Sequence, residues 1–331
     1  MSRLLARHTT KWAEPLEKWA ASVATIGDVG RHPTNRSLSS ISSTIGNNMP
    51  RVLITGGTDG IGKEAAVRLA AANNDVVFSG RDARKAQDVI EHCQKHYNNT
   101  PRFIKTDLSL ESEIHKFAAQ IAEEQFDACI LNAGVIMPKP ARTAEDREAT
   151  MMTNLISSYV IAHKMLESRR DEQRPIHFVF STSILIKFHS ATPFGRRYFN
   201  PEKISDWEQC LVPSEVSGVG KYAVSKIGLA TLSTQISRLA LPNVTATSVH
   251  PGTVYTNIMS NLPARQQLYI RLARPFITSL EDAGANLVRA ARQPLPAGMF
   301  YETDTARKLP EIVCSEKTCQ AFEHVFRQFR I

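Results

Sequence analysis

Tyr222-Ala-Val-Ser-Lys226 places a phenol and an ammonium four residues apart. On a helix, residues at i and i+4 share a face, with Cβ atoms about 5–6 Å apart. A nearby cation favours the ionised form of a phenol. A phenol brought down from its reference pKa of about 10 suits a proton donor and acceptor working near neutral pH. YxxxK alone is a weak signal in a chain with seven Tyr. It gains weight from its place on a helix between two strand-like runs.

A second feature is the glycine loop Thr55-Gly-Gly-Thr-Asp-Gly-Ile-Gly62, which follows a strand-like run and opens a helical one. In that context Gly56 allows the tight turn, Gly60 lets the backbone approach a pyrophosphate and Gly62 lets helix and strand pack closely. Thr58, Asp59 and Ile61 fill the rest of the loop. The helix N-terminus adds free N–H groups and a partial positive charge for an anion. A dinucleotide with a plain ribose calls for Asp or Glu at the end of the second strand. Here that end reads Phe78-Ser79-Gly80-Arg81. Arg81 can form charge-assisted hydrogen bonds to a 2′-phosphate, so NADP(H) is expected over NAD(H). A solvent-facing loop arginine is the plainer alternative. Asp59 is a contrary sign, because an acid beside a dinucleotide is electrostatically awkward.

The elements that must position these groups can be read from hydropathy patterning. Short apolar runs at 51–55, 75–79, 102–106, 127–131, 176–181, 244–249 and 299–301 alternate with stretches of helical spacing. Those stretches cover 60–73, 82–97, 110–125, 145–170, 221–240 and 280–292, with Asp82 as an N-cap. Alternation of this kind predicts an α/β fold: a Rossmann-type, doubly wound parallel sheet with helices on both faces, in one domain over 51–331. Ligands in such sheets sit at the carboxyl ends of the strands, near the switch in strand order.

Composition sets outer bounds. Of 331 residues, 42% are apolar and 22% charged, an ordinary globular balance. No apolar stretch is long enough for a transmembrane span. A net charge of +8 invites anionic partners. The basic residues show no stripe with interleaved aromatics, so no nucleic-acid partner is expected. Five cysteines without a CxxC suit free thiols in a reducing compartment, and no metal site is expected.

Residues 1–50 differ in texture. Arg3, Arg7 and Lys11 recur every four residues, Leu5, Trp12, Leu16 and Trp19 form an apolar stripe, and a Ser-rich stretch follows. Pro15 interrupts the stripe. A basic, Ser-rich extension reads as a transit peptide or linker and points to a mitochondrial location; Glu14 and Glu17 favour the cytoplasmic alternative.

Taken together, the motifs resemble the short-chain dehydrogenase/reductase family over roughly 51–331. TGGTDGIG matches TGxxxGxG. Asp107-Leu108 matches the acid that contacts adenine, and Asn132-Ala133-Gly134 the NAG turn beside the cofactor. The family's usual NNAG has Leu131 in place of its first Asn. Asn154 matches the structural and proton-relay Asn, and Ser183 the Ser that holds the substrate oxygen, with Ser181 and Thr182 as neighbouring alternatives. Tyr222 and Lys226 match the catalytic pair. Pro251-Gly252-Thr253-Val254-Tyr255-Thr256 matches the PGxVxT turn near the nicotinamide amide, with His250 before it structural. The HPGTVYTN run and the AVSKIGLATL helix are similar to retinol-dehydrogenase-like members.

The resemblance implies an NADP(H)-dependent oxidoreductase that moves hydride between nicotinamide and a small carbonyl or alcohol substrate, apolar in character. Tyr222 is then the general acid/base, Lys226 lowers its pKa and holds the nicotinamide ribose, and Asn154 positions a water. A non-catalytic NADP-binding sensor or scaffold is the alternative, opposed by the presence of all four of Asn154, Ser183, Tyr222 and Lys226. The long segment between Ser183 and Tyr222, with Pro193, Gly195, Arg196, Arg197, Pro201, Trp207 and Pro213, reads as an irregular lid or pocket wall that could obstruct a helix-mediated dimer. The oligomeric state stays open between monomer and homodimer.

Overall fold

The run Arg51–Thr55 forms a strand, β1, buried at every position after Arg51. Leu53 joins one apolar cluster, while Val52 and Ile54 join another. Successive side chains of a strand point to opposite faces, so one short run feeds two cores. The same alternation separates Cys129 from Ile130 and Phe178 from Val179. The computed structural model describes residues 50–137, 141–169, 174–187, 199–212, 218–254 and 278–330. The N-terminal extension up to residue 49, Thr256 and the insert residues Pro193, Gly195, Arg196, Arg197 and Pro213 lie outside the described residues.

After β1 come α1 (Gly60–Ala71), β2 (Asp75–Gly80), α2 (Ala83–Tyr97), β3 (Arg102–Lys105), α3 (Glu111–Ala122) and β4 (Ala128–Leu131). Then α4 (Ala149–Met151) runs through a π-helical turn (Met152–Ile156) into α5 (Ser157–Ser168), followed by β5 (Ile176–Ser181). The rest comprises α6 (Ile204–Leu211), α7 (Gly218–Arg238), β6 (Val244–His250), α8 (Leu280–Arg292), β7 (Met299–Glu302), β8 (Thr305–Lys308), α9 (Glu311–Cys314) and α10 (Glu316–Phe326). The sheet order is β3-β2-β1-β4-β5-β6-β7-β8. Strands β1 to β7 pair in parallel and form the expected doubly wound sheet. The order reverses between β1 and β4, which opens a crevice at their carboxyl ends.

Besides the π-helical turn inside the expected 145–170 helix, two elements depart from the sequence expectation. The eighth strand is antiparallel to β7 and exposed along its whole length. The insert before Tyr222 is not irregular throughout: residues 204–211 form α6. Trp207 on α6 is fully buried and lies edge-to-face against Phe199, Phe322 and Phe326, with its indole N–H donated to the Pro201 carbonyl at 2.8 Å. Through Trp207, α6 is therefore packed on the C-terminal helix α10, and the lid or pocket-wall expectation falls on insert residues 188–198 and 213–217, which lie outside the described residues. Trp207→Ala should cost roughly 3–5 kcal/mol of stability, read as a lower urea midpoint, because the vacated aromatic volume cannot collapse. All five cysteines are free thiols, as expected. Among the described residues no helix is long and apolar enough to cross a membrane, and no group of three side chains could hold a metal.

Candidate active site

The glycine loop leaves β1 with Gly56 at φ +69° and Gly60 at φ +56°, the left-handed region that favours glycine. A Cβ on Gly56 would lie 2.9 Å from the Ala133 Cα, and one on Gly62 would overlap the Gly56 carbonyl oxygen. The loop thus folds flat against the start of α1. Thr55 Oγ1 accepts from the backbone N–H groups of Asn132 at 3.0 Å and Ala133 at 3.1 Å, tying the turn after β4 to the loop after β1.

Between them lies a cleft of about 440 Å³. It is lined by Gly56, Thr58, Asp59, Gly60 and Ile61 of the loop after β1, by Arg81, Asp107 and Leu108 beyond β2 and β3, and by Asn132, Ala133 and Gly134 after β4. Gly62 packs behind the loop. Thr106, Val135, Ile136, Met137, Thr153 and Lys85 also line the cleft and were not singled out in the sequence. Arg81 is exposed, with Nη1 4.0 Å from Asp107 Oδ2. Asp59 caps α1 by accepting from the Gly60 N–H and is ion-paired with Lys85, so its charge is already met. A glycine cradle with no room for side chains, a helix N-terminus and an exposed guanidinium fit a dinucleotide.

The second half of the site sits on α7. A Cβ on Gly228 would run into Leu155, so α7 packs close on the π-helical turn. That turn presents Asn154, fully buried. Its Oδ1 accepts from Val135 N at 2.7 Å, and its amide donates to Val135 O at 3.0 Å and Ser225 Oγ at 3.1 Å. Both amide hydrogens are thereby committed, and the side chain clamps the turn after Gly134 to α7. Ser225 Oγ in turn donates to the Tyr222 carbonyl at 2.7 Å.

Ser183 is the hydroxyl that meets Tyr222, through a hydrogen bond between their side chains. Thr182 Oγ1 is buried without a hydrogen-bond partner, and Ser181 contributes its carbonyl, which accepts from Lys226 Nζ at 2.6 Å. Lys226 Nζ lies 5.4 Å from the centre of the Tyr222 ring. A Cβ on Gly134 would lie 3.5 Å from that same Nζ and 3.4 Å from Asn154 Oδ1. The cleft wall and the Tyr–Lys pair are therefore one continuous site.

The protonation expected from spacing is corrected by burial. Packing pushes the Tyr222 phenol up to about 12, with only the Ser183 hydrogen bond pulling the other way. Burial pushes the Lys226 ammonium down to about 7. Two desolvated groups disfavour their own charges more than the cation assists the phenolate. His250 is likewise held neutral, its pKa lowered by burial to about 4. Pro251 and Gly252 follow it, with the Pro251 carbonyl accepting from Asn286 of α8 at 2.9 Å and Gly252 at φ +124° against Thr278.

The family description "short chain dehydrogenase" matches residues 50–192. Retinol dehydrogenase 12 from Bos taurus is 30% identical over 265 residues, spanning 76% of this chain and 77% of its own length. The chain belongs to the short-chain dehydrogenase/reductase family. This places it among nicotinamide-dependent oxidoreductases that act on CH–OH or carbonyl groups. Polyprenol dehydrogenase from Homo sapiens is 25% identical over 239 residues, 70% of this dehydrogenase and 69% of the relative. A solved short-chain dehydrogenase from Sphingobium yanoikuyae, in complex with NADPH, shares the fold with a TM-score of 0.56 at 18% identity, covering 73% of this chain and 84% of that one.

Proposed function

We propose that this dehydrogenase/reductase is NADP(H)-dependent and reduces a carbonyl, or oxidises the matching alcohol, of a small apolar substrate, with Tyr222 as general acid/base. The observation that carries the reading is the junction at Gly134, where the dinucleotide cleft meets Lys226, Asn154 and, through α7, the Ser183–Tyr222 hydroxyl pair. A sensor or scaffold has no use for a paired hydroxyl and a buried ammonium at the end of its nucleotide cleft.

The glycine loop, Arg81, Asp107 and the Asn132–Gly134 turn would hold the dinucleotide, which when bound supplies or accepts the hydride. Ser183 Oγ orients the substrate oxygen by a hydrogen bond. Tyr222 Oη, a protonated phenol in the free protein, gives its proton to that oxygen as negative charge develops. The Lys226 ammonium, fixed by the Ser181 carbonyl, stabilises the phenolate left behind. In the oxidative direction the same groups return the proton to Tyr222 Oη. Asn154 keeps the cleft wall and α7 in register.

The test is reduced-nucleotide consumption by the purified protein across ketones and aldehydes of increasing apolar size. NADPH-dependent turnover that improves with apolar surface supports the reading; binding without turnover of any carbonyl or alcohol favours the sensor. Arg81→Ala should weaken NADPH about 10–100-fold and leave NADH nearly unchanged, because a charge-assisted pair to the 2′-phosphate is lost. Equal losses for both nucleotides would remove the 2′-phosphate role.

A further inference from the structure

The carboxyl ends of β5, β6 and β7 carry charges that the reaction above does not use. β5 ends at Ser181, and the chain continues past the sheet into a single turn. The Thr182 N–H donates to the Val249 carbonyl at 2.7 Å, the Ile186 N–H to the Ser183 carbonyl at 3.2 Å and the Lys187 N–H to the Ile184 carbonyl at 3.0 Å. Ser183 heads this turn, and its hydroxyl accepts from the Leu185 N–H at 3.3 Å, a long bond for a group that must hold one position. Lys187 closes the turn. Its Nζ donates to Glu302 Oε2 at 2.6 Å, 115 residues away at the end of β7. The same Nζ lies 5.4 Å from the centre of the fully buried Phe300 ring. β6 separates β5 from β7 in the sheet, so the turn and the Lys187 side chain together bridge two strand spacings, about 10 Å. The bridge crosses the end of β6, where His250 pairs in register with Glu302 and its buried imidazole feels the charges of Glu302, Lys187 and Lys226.

Resting on the reading of Ser183 and Tyr222 as the hydroxyl pair of the reaction, we propose that Lys187 is a positioning residue: its bond to Glu302 fixes the turn that carries Ser183 and so sets where the Ser183 hydroxyl meets the substrate oxygen. The Ser183 side chain is held toward α7 by its hydrogen bond with Tyr222. Lys187 supplies a second fixed point, on β7. That strand is itself anchored, because it pairs with β6 and the Thr303 N–H donates to the His250 carbonyl at 2.8 Å. Glu302 is also held by Arg307 of β8, whose Nε lies 3.6 Å from the same Oε2. The Lys187 and Glu302 side chains are 37% and 26% exposed, and an ion pair this open to water contributes little to folding stability. What it contributes is geometry, with the Phe300 ring beneath the ammonium fixing the direction of the side chain. A hydrogen bond to a reacting oxygen weakens steeply with misalignment, so a turn that shifts by an ångström loses rate before the protein loses its fold.

The test has two arms, both on the full chain. In the first, amide hydrogen exchange is followed at Leu185, Ile186 and Lys187. Lys187→Met keeps the stem over Phe300 and removes the ion pair; it should speed exchange there about tenfold while the urea midpoint stays near that of the wild type. Unchanged exchange overturns the tether, whatever the kinetics show. The second arm is a double-mutant cycle, with NADPH and para-nitrobenzaldehyde as probes. Lys187→Met should lower kcat/KM for the aldehyde about 10–100-fold and leave NADPH affinity within about twofold. Lys187→Arg, which can still donate to Glu302, should recover most of the rate. Glu302→Gln breaks the same ion pair from the other end and should give a smaller loss of the same kind. In a Ser183→Ala background, Lys187→Met should cost less than about twofold more, because a group that acts through Ser183 has nothing left to position. A merely structural lysine would show its full loss in both backgrounds. That additivity, or wild-type kcat/KM in Lys187→Met while Ser183→Ala is slow, overturns the role of Lys187 and leaves the catalytic reading standing. If Ser183→Ala and Tyr222→Phe both keep wild-type turnover, the catalytic reading itself fails.

Discussion

Tyr222→Phe will leave the protein folded and the dinucleotide bound, and will lower kcat about 10²–10⁴-fold, the range spanned by a positioned general acid. The substitution removes one oxygen and keeps the ring that packs on α7. The nucleotide cleft is lined by residues between Gly56 and Thr153, and Tyr222 is not among its lining residues. Its partner Ser183 keeps a second bond, accepting from Leu185 N at 3.3 Å, so the oxygen-binding hydroxyl stays in place. The loss therefore falls on the transition state, where the proton is in flight, and not on ground-state affinity. Steady-state kinetics with a parallel nucleotide titration separate the two. A variant within roughly tenfold of wild-type kcat would show that another group supplies the proton.

The sheet was legible because its strands are short apolar runs closed by turn residues. Arg51–Thr55 and Ile176–Ser181 have no other way to bury both faces. β8 was not legible: Thr-Ala-Arg-Lys is exposed at all four positions and is recruited by the hairpin from β7, with Thr303 at φ +56°. The π-helical turn was invisible for a related reason. Met-Thr-Asn-Leu-Ile has the side-chain pattern of an ordinary helix, and what accompanies the extra residue is the grip of Asn154 on Val135, 19 residues away. In the site, the spacing of Tyr222 and Lys226 was plain, but their protonation was not. Periodicity says which residues share a face; it does not say how much protein surrounds them. Lys85 illustrates the same limit. It lies four residues beyond Arg81, yet its meaning depends on Asp59 on another loop. Asp59 is an electrostatic misfit in the sequence, and the structure supplies the cation that resolves it.

Lys226→Met will lower turnover by about 10²–10³-fold, as expected for the loss of one preorganised charge, and will make the protein more stable near neutral pH. Lys226 is 3% exposed, and burial brings its ammonium from 10.5 down to about 7. Between those values the unfolded chain holds a proton that the folded chain has released. Stability contributed by this group therefore rises with pH across that window, and the full desolvation cost is carried below about pH 7. At about 1.4 kcal/mol per unit, the cost is on the order of 4–5 kcal/mol. Methionine matches the stem, removes that cost and leaves the Ser181 carbonyl without its donor, a loss of about 1–3 kcal/mol. The net gain is roughly 2 kcal/mol at about pH 6, fading toward pH 10 because folded wild-type Lys226 has by then released its proton and most of the burial cost has gone. Urea midpoints of the two proteins at about pH 6 and about pH 10 measure the difference. A variant less stable than wild type at the lower pH would mean the ammonium is well solvated in the folded chain. A retained kcat would mean it does not assist the phenolate. If both effects appear, the buried lysine is a place where the fold gives up stability to keep a charge beside the reacting oxygen.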